Sequence, residues 1–500
     1  MSDVRMNGVF VLNPDYHFKN DYDRIAMYSI KRVHQDSSAD WISYIHPVQA
    51  MIFNCFSEIR SLEEHCKDIS EMFKLPYEKV CHLIEPYIEN KTNVYTEWGG
   101  YKIILPKNIL IPVDKVVGKY PKHETDIPEL DTYKIELSPD RMHKGPNSLL
   151  FMVTNKCATN CKYCYADKKT KYRPLTTDEI LRIIDEARSL RMSYIDVIGG
   201  ELFCRKDWNV ILKKLVDSNL TPNYISTKVP LNEKNVSLLK STGYDNVVQI
   251  SLDSFDDDVL SHVIGSGIGY VEKMKHTIHL LEEYGFNIQI DTILTRYNSD
   301  RESILRLYDF IKDIKNLVYW EIRVPEVSIY NQKEFKEIKA DRTALVNLQY
   351  FVNNELRQNS DINIIFSDEP LRDKYNKGKP EDEYFEGGTC GILQNRMFVL
   401  PDGKVSVCEQ LYWHPQFIIG DLKKQSLCEI WNSDKSLSLF NMCKDLFKNS
   451  SCFKCKALEI CNKKHHKCFV KVIKAYGEKN WDYPDPRCIY APKVMSDLIY

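Results

Sequence analysis

Neither sign of charge dominates this chain of 500 residues, in which 68 Lys and Arg stand against 70 Asp and Glu. Without a net field, nucleic acid and anionic membrane surfaces are not favoured as partners. Apolar runs of membrane-spanning length are also missing, and the opening residues, MSDVRMNGVFVLNPDYHF, have no basic stretch followed by an apolar run and a small-residue cleavage site. The expected location is the cytoplasm. What the chain does have is hydrophobic content, 43%, in a length that favours two to four folded domains. It also has 16 cysteines. In a large chain without an export signal these more often ligate metal than form disulfides. Most crowd between Cys390 and Cys488, and three more stand together at Cys157, Cys161 and Cys164.

Residues 1–110 predict a small α/β unit. Short apolar strands fall near Val9–Leu12 and Ile25–Ile30; Leu62, Cys66, Ile69 and Phe73 recur at helical spacing, as do Val80, Ile84 and Ile88. A further strand, Tyr101–Leu105, follows the Gly99-Gly100 turn, and strands around short helices suggest a winged-helix-like module. Residues 111–146, charged and rich in Pro and Lys, predict a linker. Residues 147–335 alternate apolar strands (Leu149–Val153, Tyr194–Ile198, Asn223–Ser226, Val247–Leu252, Ile288–Leu294 and Tyr319–Val324) with amphipathic helices, one opened by a Thr176/Glu179 capping box. These repeats predict an α/β fold with a parallel sheet, a partial (β/α)6 barrel whose strand C-termini carry the chemistry. Residues 336–385 form a bridging region with a helix at Arg342–Leu356. From 386 to 500 the sequence turns cysteine-rich, with a hairpin over Met397–Cys408 around Pro401-Asp402-Gly403. Few apolar residues are expected to hold this region, and bound metal would supply the missing crosslinks.

Cys157, Cys161 and Cys164 follow the first strand of the repeat at C-x3-C-x2-C spacing. A four-iron cube wants four ligands, and three thiolates leave one iron open. A zinc knuckle or three packed thiols is the alternative, but zinc wants a fourth protein ligand and none is evident nearby. The spacing, with Tyr163 before the last cysteine, resembles the signature of the radical S-adenosylmethionine (SAM) superfamily. That resemblance implies a [4Fe–4S] cluster whose open iron takes the amino and carboxylate groups of SAM, with Cys157, Cys161 and Cys164 as catalytic ligands and Tyr163 against the adenine. An electron passed through the cluster would release a 5′-deoxyadenosyl radical. Gly199-Gly200-Glu201, ending the second strand, resembles the family's GGE motif that holds the SAM ammonium group, with Leu202 in place of the usual proline. On residue chemistry alone, glycines admit close backbone approach and Glu201 offers an anion, although an ordinary βα turn has the same composition. Ser226 and Thr227 at the third strand end, and Ser251 and Asp253 at the fourth, resemble segments that contact the SAM carboxylate and ribose. Asp253 is equally suited to cap the next helix.

Cys390, Cys408 in a Gly403-x4-Cys408 step, Cys452-x2-Cys455-x5-Cys461, Cys468 and Cys488 resemble the SPASM extension of that superfamily, which carries two auxiliary [4Fe–4S] clusters. The resemblance implies one cluster on Cys452, Cys455, Cys461 and Cys488, and the other on Cys390, Cys408 and a later cysteine. The step expected after Cys461 falls on His465, so the last ligand of the second cluster is Cys468, His465, Cys443 or none. Zinc ribbons are the alternative. Members with this extension mostly modify peptides, and several carry an N-terminal winged-helix module that grips a leader peptide as an added strand. Between Glu58 and Glu89 eight acidic residues face four basic ones, the wrong sign for DNA binding by such a module. The expectation is a peptide maturase. The leader of a precursor peptide docks on the N-terminal domain, a reductant such as flavodoxin or ferredoxin supplies electrons, and a cross-link is installed, thioether before carbon–carbon. The rivals are a formylglycine-generating sulfatase maturase, which needs no leader domain, and a non-catalytic metal-binding regulator.

Overall fold

The computed structural model describes residues 6–29, 42–116, 120, 135–138, 140–373, 390–464, 467–494, 496 and 499. It divides into two compact units, Met1–Asn147 and Ser148–Tyr500. Among the described residues, no helix is long and apolar enough to cross a membrane.

The strands of the first unit are β1 (Val9–Leu12), β2 (Tyr16–Asn20), β3 (Ile25–Ser29), β4 (Ile42–Ile45), β5 (Arg60–Ser61), β6 (Val94–Trp98), β7 (Tyr101–Leu105) and β8 (Leu110–Pro112). β1 lies between β5 and β8, β2-β3-β4 form a meander, and β6 and β7 form a hairpin, all antiparallel. The hairpin turns on Gly99 and Gly100 at φ 55° and 82°, left-handed values that suit a two-residue turn. A Ser61/Glu64 capping box opens helix Leu62–Phe73, which buries Leu62, His65, Cys66 and Ile69 along one stripe and stops at left-handed Lys74. Helix Tyr77–Ile84 buries Val80 and Ile84. The chain runs from this helix pair into the β6-β7 hairpin.

The segment 111–146, expected as a linker, is fastened where it is described. Tyr120 donates its hydroxyl hydrogen to the carbonyls of Leu12 (3.0 Å) and Phe56 (3.2 Å). Asp21 Oδ1 accepts from the backbone of His143 (2.8 Å) and Lys144 (2.7 Å). Asp21 also pairs with Arg24 at 2.9 Å, both fully buried, and Arg24 donates to the carbonyls of Ser138 and Arg141. A buried ion pair survives only when its remaining donors and acceptors are satisfied, and this charged segment supplies those partners. Polar composition here marks the shell of a buried pair rather than a free connector.

In the second unit the strands are β9 (Ser148–Thr154), β10 (Tyr194–Gly199), β11 (Tyr224–Thr227), β12 (Val247–Ser251), β13 (Ile288–Ile293), β14 (Leu317–Arg323), β15 (Ile364–Ser367), β16 (Arg396–Val399), β17 (Lys404–Ser406) and β18 (Ile418–Asp421). β9 to β14 are the six expected strands, and the Thr176/Glu179 capping box opens helix Thr177–Ser189. β11 to β14 pair in parallel in sequence order, and β15 extends that sheet as a further parallel strand from the region expected only to bridge. No backbone ladder joins β10 to β11. Asp196 of β10 spans the gap, accepting from the backbone (2.9 Å) and the side-chain amide (2.8 Å) of Asn223.

β16 pairs in parallel with β9, and the hairpin β16-β17 and then β18 continue the sheet. The cysteine-rich region is therefore built onto the barrel's first strand. It also has apolar packing that its composition concealed: Phe398, Leu400 and Tyr412 form a buried cluster with Met152 and Ala166. Each such side chain removed from water contributes roughly 1.5–3 kcal/mol. The expectation that few apolar residues hold this region is corrected accordingly.

Candidate active site and cysteine groups

β9 ends at Thr154, and the loop that follows presents Cys157, Cys161 and Cys164. Two backbone bonds tie this loop to the last turn of helix Asp257–Ile264, from Asn160 N–H to the Ile264 carbonyl (2.8 Å) and from Lys162 N–H to Val263 (2.9 Å). Thr159 Oγ1 lies 3.3 Å from both Cys157 Sγ and Cys161 Sγ. Burial raises the Cys161 thiol, which lies in the fields of Lys228 and Cys164.

The end of β10 is stitched to the same loop. Gly200 N–H donates to the Thr154 carbonyl (2.8 Å) and Glu201 N–H to the Lys156 carbonyl (2.7 Å). A Cβ on Gly200 would meet the Lys156 carbonyl oxygen at 2.1 Å, and Gly199 holds φ +118°. Both positions need glycine for contact and conformation, beyond what a plain βα turn demands. Glu201 is 3% exposed. Its Oε2 accepts from Lys228 N–H (3.0 Å), and its Oε1 is buried with no hydrogen-bond partner. Burial pushes its carboxyl up to about 7, against hydrogen bonds from the Lys228 backbone and the Thr227 side chain.

Lys228 is the complementary orphan. Its Nζ makes no hydrogen bond, has Asp253 Oδ2 at 3.7 Å and lies 5.5 Å from the centre of the Tyr163 ring. Burial opposes its charge, but the fields of Asp253, Cys161, Asp291 and Cys157 outweigh it and raise its pKa. An unsatisfied buried carboxylate oxygen and an unsatisfied buried ammonium are complementary to a ligand that carries an ammonium and a carboxylate, as an amino-acid moiety does. Tyr163 donates its hydroxyl hydrogen to Asp253, and Asp253 Oδ1 accepts from Ile293 N–H (2.9 Å). Asp253 caps no helix; Asp256 caps helix Asp257–Ile264. Thr227 is buried, its hydroxyl accepting from Val229 N–H at 2.8 Å, while Ser226 is exposed and Ser251 half-buried.

Beyond the expected residues, a charged group lines the strands. Arg323 of β14 pairs with Asp291 of β13 (3.0 Å) and with Glu321 (2.7 Å). Burial raises Asp291 to about 6 although Arg323 opposes it. Glu409, directly after Cys408, is raised by burial against the fields of Arg396 and Arg323. Polar residues alternating through apolar strands, as in Ile288-Gln289-Ile290-Asp291, were the available signal, because a parallel strand covered on both faces is expected to be continuously apolar.

The C-terminal cysteines sort into two groups by the fields they exert on one another. Cys408 lies in the fields of Cys468 and Cys390, and Cys468 in that of Cys390. Cys452 lies in the field of Cys455, Cys461 in those of Cys452 and Cys488, and Cys488 in those of Cys452 and Cys455. Burial pushes Cys468 to about 11 and Cys461 to about 12, so deprotonation there requires a cationic partner such as a metal centre. Among the described residues no three His, Cys, Asp or Glu side chains converge tightly enough for one metal ion. A cube that takes each thiolate on a separate iron calls for wider spacing than the tetrahedron of a single zinc. Cys443 is exposed, Cys428 sits in helix Leu427–Trp431, and His465 lies outside the described residues.

Residues 151–311 match the family model of the radical SAM superfamily, and residues 390–456 match that of the SPASM iron–sulfur cluster-binding domain. A PqqA peptide cyclase from Granulibacter bethesdensis is 28% identical over 157 residues, 31% of this chain and 41% of that protein, so the match spans less than half of the relative. Streptococcus suis SuiB bound to precursor peptide SuiA has the same fold, with a TM-score of 0.63 at 15% identity over 96% of this chain and 99% of that one. SuiB bound to S-adenosylmethionine gives 0.59 at 16%, with the same coverage.

Proposed function

Because this chain carries a radical SAM domain joined to a SPASM iron–sulfur domain, which bind SAM on a [4Fe–4S] cluster and auxiliary clusters, we propose that it is a maturase that cross-links a leader-bearing precursor peptide. The observation that carries the reading is the cradle at β10 and β11: Gly200 packed on the cysteine loop, with Glu201 Oε1 and Lys228 Nζ buried and without hydrogen bonds beside it. These residues fit the methionine end of SAM. Cys157, Cys161 and Cys164 would hold the cluster, Glu201 the ammonium, Lys228 the carboxylate, and Tyr163 with Asp253 the nucleoside side. When bound, that cluster and SAM together supply a 5′-deoxyadenosyl radical.

The chain's own residues do the rest by position and charge. Asp291, Arg323 and Glu409 orient a substrate segment, and the raised carboxyl of Glu409 suits it to accept a proton from the reacting residue. Cys452, Cys455, Cys461 and Cys488 would hold one auxiliary cluster, and Cys390, Cys408 and Cys468 the other, which with three protein thiolates would be suited to bind a substrate thiolate. A thioether is therefore favoured over a carbon–carbon link. The winged-helix unit takes the leader as an added strand, a flavodoxin or ferredoxin supplies electrons, and the reducing cytoplasm keeps the thiols free. Related names point the same way: a PqqA peptide cyclase, and a SuiB crystallised with its precursor. Co-expression with short cysteine- or aromatic-rich reading frames that neighbour the gene is expected to yield a peptide lighter by a hydrogen pair. In it one cysteine resists alkylation. Iron-loaded protein that releases no 5′-deoxyadenosine under reduction would sink the reading.

The position of Glu201 gives a pH dependence. Its folded pKa, about 7, lies above the ordinary carboxyl value of 4.5. The stability contributed by its neutral form is thus fully present below pH 4.5 and lost as pH rises through 7, on the order of 3 kcal/mol in all. Binding of an ammonium needs the ionised form, so SAM affinity falls by up to about tenfold per unit below pH 7. Glu201→Gln is expected to bind SAM weakly with this dependence removed, and as apo protein to melt higher than wild type at pH 8. Anaerobic equilibrium dialysis and calorimetry check the two halves.

A further inference from the structure

Beside the group of Cys452, Cys455, Cys461 and Cys488, called outer below, with Cys390, Cys408 and Cys468 as the inner group, lies a lysine that the proposed chemistry leaves unused. Lys467 is 5% exposed. Its Nζ donates to the Asp482 carbonyl at 2.9 Å and lies 4.0 Å from the centre of the Phe447 ring and 5.2 Å from that of Phe469. A carbonyl and two ring faces are contacts that reward a cation. Among the described residues no carboxylate forms an ion pair with it. Burial pulls its pKa down to about 8, and Cys452, Asp482, Asp485 and Cys461 act the other way to keep it charged at neutral pH, while its own field acts on Cys452 and Cys461.

The inner group has a different surrounding charge. Arg487 grips Asp485 at 2.8 Å and 2.9 Å, and Asp485 Oδ2 accepts from Cys468 N–H at 2.9 Å. Cys390, in turn, lies in the opposed fields of Arg487 and Asp485. Cys468 also lies in the field of Lys471, which pairs with Glu326 at 3.1 Å, so the inner thiols meet cations already paired with carboxylates. The outer thiols meet an ammonium held only by a carbonyl and aromatic rings.

A fixed cation stabilises the more negative, reduced state of a nearby cluster and raises its potential. We propose that Lys467 is a positioning residue that sets the outer cluster's reduction potential above that of the inner one. The outer site is then the exit for the electron left by bond formation. This rests on the auxiliary-cluster reading above. In the step concerned, a substrate thiolate and a carbon radical form a C–S bond and one electron passes to the inner cluster. It moves on to the outer cluster and then to an external one-electron carrier of the flavodoxin or ferredoxin class.

The test is a redox titration followed by electron paramagnetic resonance on full-length, iron-reconstituted protein. Cys157, Cys161 and Cys164 are replaced by Ala so that only auxiliary signals remain. In Lys467→Met and Lys467→Gln one auxiliary signal is expected to lose at least about tenfold in its reduction equilibrium, ~59 mV for a one-electron couple. The other signal stays in place, and Lys467→Arg keeps the parent value. An unshifted potential at full iron content overturns the proposal, as does an equal shift in Lys467→Arg. Loss of iron from both uncharged variants overturns it too, since Lys467 would then be holding the site rather than tuning it. A parent protein with no auxiliary signal at all removes the cluster reading itself, a separate result.

Discussion

Cys161→Ala is expected to abolish 5′-deoxyadenosine formation and to remove about four irons per chain, the content of one [4Fe–4S] cluster. The argument is local. Cys161 is 6% exposed, shares Thr159 Oγ1 with Cys157 at 3.3 Å each, and lies on a loop clamped to the end of helix Asp257–Ile264. Of the other described thiols Cys204 acts on this loop, taking a hydrogen bond from the Ala158 backbone in the field of Cys157, and burial keeps it raised. Alanine keeps the Cβ and the backbone bonds, so the fold should persist with its circular dichroism unchanged. The auxiliary irons should also remain. An assay of iron, acid-labile sulfide and 5′-deoxyadenosine on wild type and variant separates the outcomes. A variant that keeps both its full iron and its SAM cleavage would show that the three-cysteine loop is packing, not ligation.

What could be seen in the sequence followed from local physics. β9 to β14 announce themselves as apolar runs between helices with caps, and the cysteine spacings are set by loops a few residues long. The missed parts depend on distant partners. β15 has only four residues and is a strand because β14 offers it an edge. β16 belongs to the barrel because it pairs with β9, a contact between residues far apart in the chain. Segment 111–146 reads as a linker because it is charged and rich in Pro and Lys, yet where it is described Arg24 and Asp21 draw its backbone in. Lys228 was passed over as one basic residue after a strand. Its importance appears only beside Glu201 at the end of β10, whose buried Oε1 equally lacks a hydrogen bond.

Removing residues 1–147 should separate leader-dependent maturation from chemistry on a free side chain. The cut falls between the compact units, and the cysteine groups, Glu201 and Lys228 all lie in Ser148–Tyr500. The shortened chain is expected to bind its iron and to cleave SAM without productive coupling to peptide. Modification of full-length precursor should fall on the order of 10²–10⁴-fold, the gain that tethering a second binding module typically supplies. Leader peptide added in trans should not restore it, because the gain comes from holding leader and core on one molecule. A maturase that oxidises a Cys or Ser to formylglycine has no use for a leader unit and would turn over unchanged after the same cut. Mass spectrometry of precursor treated with each protein, normalised to 5′-deoxyadenosine released, decides between them. Equal product per SAM cleaved by the two proteins would refute the leader role of the winged-helix unit.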